Sequence, residues 1–238
     1  DLRMSRGLGD VYKRQHLSLL KKEVDDMWAL VYNQMEKAIN AVNTVDADLA
    51  QQVIVREKRV NAYELKIDST IENIIALYSP VAVDLRFVLA MLKINSDLER
   101  LGDFAEGIAW FVIHNKEYII SRELLESLQY DEMGNQVLTM LKLTREALDE
   151  ENISIASSIF SKDNLLDEIN RKITGTMSAH LLNHPEDTRI CLDLVSVFRK
   201  LERSGDHITN MAESIIFYID AKVLKHSDKQ YGEEHGKK

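Results

Sequence analysis

The 238-residue chain contains few of the residues that form turns or covalent cross-links. It has nine glycines, two prolines and one cysteine. Scarce turn residues favour a small number of long helices over many short strands, because each connection between strands needs a turn. The one cysteine, Cys191, excludes an intramolecular disulfide and a cysteine-based zinc site. That usage is typical of a protein from a reducing compartment.

Clustered positive charge and long apolar runs are also missing. Lysine and arginine number 30 against 39 acidic residues, the net charge is −9, and no basic block lies outside the termini. Because neutralising nucleic-acid phosphates requires clustered cations, we expect no nucleic-acid partner. The longest apolar run, residues 108–113, is far shorter than the roughly 20 residues that cross a bilayer, and no signal-peptide pattern opens the chain. We therefore expect a soluble, cytoplasmic protein.

Helical periodicity is present along most of the chain from His16 onward. Apolar residues make up 45% of the sequence and recur every three or four positions. Ser79 and Pro80 are typical of a helix start, with serine as the N-cap and proline at the first helical position. The pattern predicts six helices, over residues 16–42, 47–77, 80–114, 121–150, 152–182 and 185–224.

The six predicted helices divide into two matching sets of three. Residues 98–103, LERLGD, recur as residues 201–206, LERSGD, at an offset of 103, and Arg86 and Arg189 share that offset. A glycine inside a helix costs about 1 kcal/mol relative to alanine, so its recurrence suggests a close helix approach or space for a ligand. The sequence predicts an all-α fold of two tandem three-helix bundles related by an internal repeat.

This repeat sets the expected domain limits. The first three-helix repeat covers residues 16–118 and the second covers residues 119–225. Residues 1–15 carry turn signals, a basic bias and no helical period, so we expect a tag-like or disordered tail there. Residues 226–238 are polar and are expected to form a second tail.

Four pairs of acidic residues spaced four apart are the candidate metal ligands. Each repeat has one pair on its middle helix and one on its last helix; the pairs are Glu64/Asp68, Glu99/Asp103, Asp163/Asp167 and Glu202/Asp206. Residues four apart share a helical face, so two neighbouring helices could bring four carboxylates together around a cation. Oxygen ligands of this kind suit Mg, Mn, Ca or Fe. The middle-helix pairs are related by an offset of only 99, one helical turn out of step with the motif.

The abundance of acidic pairs is not itself a sign of metal binding. Chance predicts about six such pairs in a helical protein this acidic, and the sequence contains six. The positions of the pairs are more informative than their number, because Glu99/Asp103 and Glu202/Asp206 recur at the repeat offset inside the same motif. A solvated face, or neutralisation by the arginine of each motif, remains the alternative.

Two further residues have reactive or ligating side chains. His207 follows Asp206 directly and projects about 100° away from the acidic face, so we expect it to support a ligand or to be an ordinary polar residue. Cys191 lacks a histidine partner in any nucleophile motif, so we expect a core thiol. The predicted helices contain no glycine-rich phosphate loop.

At these motifs the sequence resembles the PhoU family. Residues 80–86 (PVAVDLR) and 97–103 (DLERLGD), with Lys93 between them, resemble the first half of a PhoU protein, and residues 201–213 resemble its second half. The resemblance extends over about residues 16–225. The second half departs from the Asp-Leu-Arg triplet, having Asp187, Thr188 and Arg189, so the two halves need not bind alike.

The resemblance implies both a site and a function. PhoU proteins are two three-helix bundles whose Glu/Asp-x-x-x-Asp motifs bind iron, zinc, magnesium or manganese. They are cytoplasmic negative regulators of phosphate uptake and of the phosphate-starvation response, acting on the phosphate ABC transporter and a membrane sensor kinase. The implied metal ligands here are Glu64, Asp68, Glu99, Asp103, Asp163, Asp167, Glu202 and Asp206.

Our hypothesis from the sequence is a non-enzymatic adaptor. Metal-bound acidic faces would shape a surface that docks on the ATPase of the phosphate ABC transporter and on a sensor histidine kinase. We expect a homodimer that meets the membrane through its partners only. The alternatives are a metal-free helical scaffold with salt-bridged acids and a carboxylate-bridged di-metal enzyme, although the latter class uses Glu-x-x-His pairs that are not found beside these motifs.

Overall fold

The computed structural model describes residues 2–118 and 120–221, with side chains from residue 11 onward. Within these residues there is no strand, and seven α-helices form the fold. They are α1 (Leu2–Thr44), α2 (Ala47–Tyr78), α3 (Ala82–His114), α4 (Arg122–Ser127), α5 (Tyr130–Asp149), α6 (Ile153–Asn183) and α7 (Thr188–Asp220), with a 3-10 turn over Pro185–Asp187 before α7. No described helix is long and apolar enough to cross a membrane.

The helices form the two predicted three-helix units. In the first unit α2 packs on α1 and α3, and in the second α6 packs on α5 and α7. The units meet through α3 against α7 and α1 against α5, so α2 and α6 lie outermost. The all-α duplicated architecture is therefore confirmed.

The two units contact each other with their helices antiparallel. Arg86, near the start of α3, donates from Nε to the carbonyl oxygen of Tyr218 near the end of α7, at 3.1 Å. On the other pair of helices, the Trp28 indole in α1 donates to the carbonyl oxygen of Leu141 in α5, at 3.2 Å. Because each contact joins equivalent helices of the two repeats, the repeats are related by an approximate two-fold rotation.

The hydrophobic core is continuous across the two units. Trp28, Tyr130 and Phe198 are fully or almost fully buried in one apolar cluster that includes residues of both repeats. Tyr130 satisfies its hydroxyl by donating to the carbonyl oxygen of Ile39 at 3.3 Å. Burial of an aromatic with its polar atom satisfied is how such a side chain stabilises a core.

The turn between α2 and α3 differs from the expectation. Ser79 ends α2 as its C-cap, in the left-handed conformation with φ 44° and ψ 59°, and is not the N-cap of α3. The N-cap of α3 is Val81, whose side chain makes no capping bond, and Pro80 lies outside the helix. Proline holds the preceding residue away from the right-handed helical region, so the chain leaves α2 at Ser79.

Three other boundaries also differ from the prediction. The single helix expected over residues 121–150 is two helices, because Gln129 adopts a left-handed conformation between α4 and α5. α7 ends at Asp220 rather than near residue 224. α1 begins at Leu2, so residues 2–15, expected to lack helical structure, are continuous with the first helix. The expected polar tail at 226–238 lies outside the described residues.

Candidate functional site

The first candidate site lies where α2 packs on α3, and we call its four carboxylates the first acidic face. They are Glu57, Glu64, Glu99 and Asp103. Burial raises the pKa of Glu99, and repulsion of its carboxylate by Asp103 and by Glu64 raises it further. Burial, Asp68 and Asp103 likewise raise the pKa of Glu64. The pairs on the two helices therefore act on each other, as the shared helical faces predict.

Glu57 is the most buried carboxylate of this face. Its side chain is 4% exposed, and burial, followed by repulsion from Asp103 and Glu106, raises its pKa to about 7. Gln34 donates to Oε2 at 3.4 Å, while the buried Oε1 accepts no hydrogen bond from any described residue. By contrast Glu23, similarly buried, pairs with Lys66 at 3.2 Å and accepts from Thr70. An acceptor buried without a donor is costly, so Glu57 favours a proton or a cation at Oε1.

Gly102 of the repeated motif makes room for Glu57. A Cβ atom at Gly102 would lie 3.2 Å from both carboxylate oxygens of Glu57 and 3.0 Å from Val60 Cγ1. These distances are shorter than ordinary van der Waals contact, so a side chain there would push against the carboxylate. The intrahelical glycine therefore permits a close approach of α2 and α3, one of the two roles that its recurrence suggests.

Asp68 lies toward one end of the face and has a structural partner. The buried Asn95 of α3 donates from Nδ2 to Asp68 Oδ1 at 2.9 Å and also lies 3.1 Å from the carbonyl oxygen of Glu64. This bond ties α2 to α3 one turn beyond Glu64. Of the predicted pair Glu64/Asp68, Glu64 is the member that faces Asp103.

The second acidic face lies where α6 packs on α7, and it consists of Asp163, Asp167, Glu202 and Asp206. Burial, Asp206 and Asp167 raise the pKa of Glu202, in that order of importance. A Cβ atom at Gly205 would clash with Oδ1 of Asp163, just as one at Gly102 would press on Glu57. All four predicted residues of the second repeat therefore lie at one helix–helix junction.

The contacts of the two glycines correct the offset of 99 by which the sequence related the middle helices of the two repeats. Gly102 and Gly205 are equivalent, so Glu57 corresponds to Asp163 at an offset of 106, and Asn61 corresponds to Asp167. Glu64 lies seven residues, or two turns, beyond the matching position. Sequence reasoning missed Glu57 because Asn61 interrupts the four-residue acidic spacing. The available signal was an acid two turns before Glu64, on the same helical face.

The motif arginines behave differently in the two repeats. Arg100 lies 3.8 Å from Glu99 and 3.5 Å from Asp103 and partly neutralises the first face from an exposed position. Arg203 instead lies over the ring of Phe104, with its guanidinium carbon 5.0 Å from the ring centroid. Arg203 and Arg199 both oppose the rise in the pKa of Glu202, so arginines act on both faces.

His207 lies at the junction of the two repeats and not among the carboxylates. Its Nδ1 is 2.8 Å from Asp97 Oδ1 of α3, and its ring is 5.5 Å from that of Phe104. Phe104 is the residue equivalent to His207 in the first repeat, so the two equivalent positions contact each other. His207 therefore holds α3 to α7.

The acidic faces fit a cation by three observations of the structure. Burial and neighbouring carboxylates raise the pKa of Glu99 and of Glu202. No described residue donates to the buried Oε1 of Glu57, and a glycine opens each helix junction beside an acid. The carboxylates are spread along the junctions, however. Among the described residues, the one set of three histidine, cysteine or acidic side chains with ligand atoms all within 4.8 Å of one another is His180, His184 and Asp187.

Comparison with known proteins agrees with the duplicated fold. A family model described as the PhoU domain matches residues 24–112 and again residues 130–215. The phosphate-specific transport system accessory protein PhoU homolog 1 of Thermotoga maritima is 29% identical over 215 residues, covering 90% of this chain and 92% of that protein. The phosphate-specific transport system accessory protein PhoU of Escherichia coli is 30% identical over 210 residues, covering 88% and 86%.

Solved structures show the same arrangement of helices. The crystal structure of PhoU from Pseudomonas aeruginosa superimposes with a TM-score of 0.83 at 28% identity, covering 88% of this chain and 99% of that one. The phosphate transport system regulatory protein PhoU from Streptococcus pneumoniae gives a TM-score of 0.77, also at 28% identity, over 89% and 98%. The matched residues include both three-helix units and both acidic faces, and the chain therefore belongs to the PhoU family.

Proposed function

We propose that this protein is a non-enzymatic accessory and regulatory protein of a phosphate-specific transport system. The relatives that it matches along nearly their whole length are named as accessory or regulatory proteins of that system. The feature of this chain that carries the proposal is the pair of acidic faces, each built at a glycine-opened junction of the middle and last helices. The protein acts in the cytoplasm, as a homodimer, and reaches the membrane through its partners.

Metal ions bound to the acidic faces are part of this proposal. In the first face Glu57, Glu64, Glu99 and Asp103 would hold the ion, with Asp68 at the edge. In the second face the ligands are Asp163, Asp167, Glu202 and Asp206. The ion supplies positive charge that offsets carboxylate repulsion, and iron, zinc, magnesium and manganese all accept oxygen ligands. The protein residues orient those oxygens and fix the separation of the two helices.

The regulatory action follows from the position of these faces. They lie on the outer helices α2 and α6 and on α3 and α7, which also form the contact between the repeats. A change at an acidic face is thereby transmitted to the packing of the two units. We propose that the resulting surface docks on the transporter ATPase and on a sensor histidine kinase, and represses phosphate uptake and the phosphate-starvation response.

A metal-free scaffold is the second candidate, and one observation favours it. Arg100 lies within 4 Å of both motif carboxylates of the first repeat. An exposed pair of this kind contributes little stability, about 0–1 kcal/mol. It also leaves Oε1 of Glu57 without a donor among the described residues. No observation favours the di-metal enzyme, because the described acids have no Glu-x-x-His partner.

A genetic experiment tests the regulatory role. Deleting the gene should raise expression of a phosphate-starvation reporter in phosphate-rich medium, and the intact gene should restore repression. Complementation with Glu99→Gln/Asp103→Asn should fail to restore it. Complementation with Glu146→Gln/Glu150→Gln, which removes an acidic pair in the last turn and C-cap of α5 outside the faces, should succeed. Normal repression in the deletion strain would contradict the proposed function.

A pull-down experiment tests the partners. The tagged full chain is used to capture the ATPase subunit of the phosphate transporter, and separately the sensor kinase, from membranes of phosphate-replete cells. Capture of either partner that weakens with the acidic-face variant but not with the α5 control supports the adaptor role. Absence of both partners would contradict it.

A further inference from the structure

A second kind of ligand set lies at the turn between α6 and α7. His180 is in the last turn of α6, His184 is its C-cap, and Asp187 ends the 3-10 turn that follows. Their ligand atoms all lie within 4.8 Å of one another. His180 Nε2 is already 2.7 Å from Asp187 Oδ2, and the two imidazole rings stack at 4.5 Å between centroids. The turn thus gathers three donors from eight consecutive residues.

The chemistry of these donors differs from that of the acidic faces. Two imidazoles and one carboxylate suit borderline divalent transition metals, whereas all-oxygen sets suit Mg²⁺ or Mn²⁺. Histidines four apart near a helix end can both reach one ion. In a tetrahedral zinc site with bonds of about 2.1 Å, ligand atoms lie about 3.4 Å apart. The ligand atoms, all within 4.8 Å of one another, need to approach by about 1.4 Å at most to reach that spacing.

The surroundings provide the further features of a metal site. Glu186 Oε1 lies 3.5 Å from His184 Nδ1, which leaves Nε2 of that ring for a metal, and a carboxylate behind a histidine is a common support for a ligand. A cavity of about 370 Å³ adjoins the three donors and extends to Ser121 and Glu123 at the start of α4. A water molecule or a small ligand can therefore occupy the fourth position.

This site is not duplicated. At the repeat offset of 103, His180 and His184 correspond to Leu77 and Val81, and Asp187 corresponds to Asp84, so the first repeat keeps the carboxylate and lacks both imidazoles. The site therefore differs from the repeated acidic faces in both location and ligand type, and it does not depend on the proposed function.

We propose that His180, His184 and Asp187 bind one divalent transition-metal ion of the zinc class, with a fourth coordination position open to the cavity. The ion joins the end of α6 to the start of α7. It also replaces the direct contact between His180 and Asp187 with a shared bond to the metal. Binding fixes the turn that positions Asp163 and Asp167 on α6 relative to Glu202 and Asp206 on α7.

Zinc titration of the full chain tests this proposal. After chelator treatment and its removal, isothermal calorimetry with zinc chloride should show one equivalent that persists when Glu99→Gln, Asp103→Asn, Glu202→Gln and Asp206→Asn are combined. His180→Gln/His184→Gln should weaken that equivalent by at least about 100-fold, because two of three protein ligands are lost. Cobalt should give a tetrahedral visible spectrum with the wild type that the double histidine variant lacks.

Two controls separate the site from general effects of histidine loss. His16→Gln/His114→Gln removes two histidines elsewhere and should leave zinc affinity unchanged. His184→Gln alone, at a side chain that is 52% exposed, should keep full helicity by circular dichroism and still lose most of the affinity. Equal zinc affinity in the acidic-face variant with and without His180→Gln/His184→Gln, or no zinc equivalent in the acidic-face variant itself, would overturn the proposal.

Discussion

At the residue scale, the glycines within helices differ in whether a side chain of a neighbouring helix packs against them. Gly102 and Gly205 lie against Glu57 and Asp163, whereas Gly175 has no heavy atom within 4 Å of where its Cβ would be, beyond its own helix. Where the space beside a glycine is empty, a larger side chain would fit without displacing a neighbour. The first two are therefore parts of the acidic faces, and the third is a helical glycine that alanine could replace.

Alanine at the two kinds of glycine should have opposite effects. Gly175→Ala should raise the free energy of unfolding by about 0.5–1 kcal/mol, because alanine loses less backbone entropy in a helix. Gly205→Ala should lower it despite the same gain, because Asp163 and the buried Leu166 must move. Urea denaturation of both variants measures the difference. Stabilisation by Gly205→Ala would contradict the close packing of Asp163 and Leu166 against Gly205.

The buried carboxylate Glu57 should make the metal-free protein less stable as pH rises. Its pKa is about 7 in the folded chain against an ordinary value of 4.5. Below pH 4.5 the carboxyl is protonated in both states, and between these values the unfolded chain alone releases the proton, so stability falls. Glu57→Gln should remove this fall. The free energy of unfolding of the variant, minus that of the wild type, should therefore be about 1–3 kcal/mol larger at pH 8 than at pH 4.5.

The measurement is urea denaturation in the presence of a chelator at several pH values. Glu168→Gln, at an exposed carboxylate on α6 that pairs with Lys172, serves as the control and should retain the wild-type pH dependence. Identical pH dependence in Glu57→Gln and the wild type would contradict the assignment of the raised pKa to Glu57.

The sequence was sufficient to locate seven of the eight face residues but not Glu57. The repeated motif predicted Glu99, Asp103, Glu202 and Asp206 because both members of each pair recur at one offset. Glu57 has no acid four residues away, and only its contact with Gly102 reveals its role. Residue spacing describes which side chains share a face of one helix. The distance between side chains on two helices depends on how the helices pack, which spacing alone does not predict.

At the element scale, helix starts were predictable where a side chain caps the helix. Ser121 accepts from the backbone N–H of Leu124 at 3.1 Å and starts α4, as its residue type predicts. Ser79 has the same residue type but ends α2, because the following Pro80 redirects the backbone. A capping residue can serve either helix end, and only the backbone conformation decides which.

The N-cap of α6 provides an element-scale prediction. Asn152 Oδ1 accepts from the backbone N–H groups of Ser154 and Ile155 at 3.0 and 3.2 Å. Asn152→Ala should destabilise the protein by about 1 kcal/mol, because two N–H groups lose their acceptor. Asn164→Ala, at an exposed position within the same helix, should not destabilise it. Thermal denaturation of the two variants measures the difference, and equal melting temperatures would count against the cap.

At the scale of the whole molecule, the internal repeat predicted two bundles but not how they meet. The contact between α3 and α7 places His207 against Asp97 and Phe104, so equivalent positions of the two repeats lie together. Sequence spacing treats each repeat separately and contains no information on their relative orientation. Both acidic faces lie outside this shared contact, each between helices of a single repeat. We therefore propose that each repeat carries its own cation site.

Metal analysis of protein purified without chelator tests most directly whether each repeat carries its own cation site. In a His180→Gln/His184→Gln background, which removes the ligands of the α6–α7 turn, the metal content per chain is measured by mass spectrometry. Adding Glu99→Gln/Asp103→Asn should remove the metal of the first face, and adding Glu202→Gln/Asp206→Asn that of the second. Adding Glu146→Gln/Glu150→Gln, with the same change in charge, should remove none. Equal metal content in all four proteins would contradict the account.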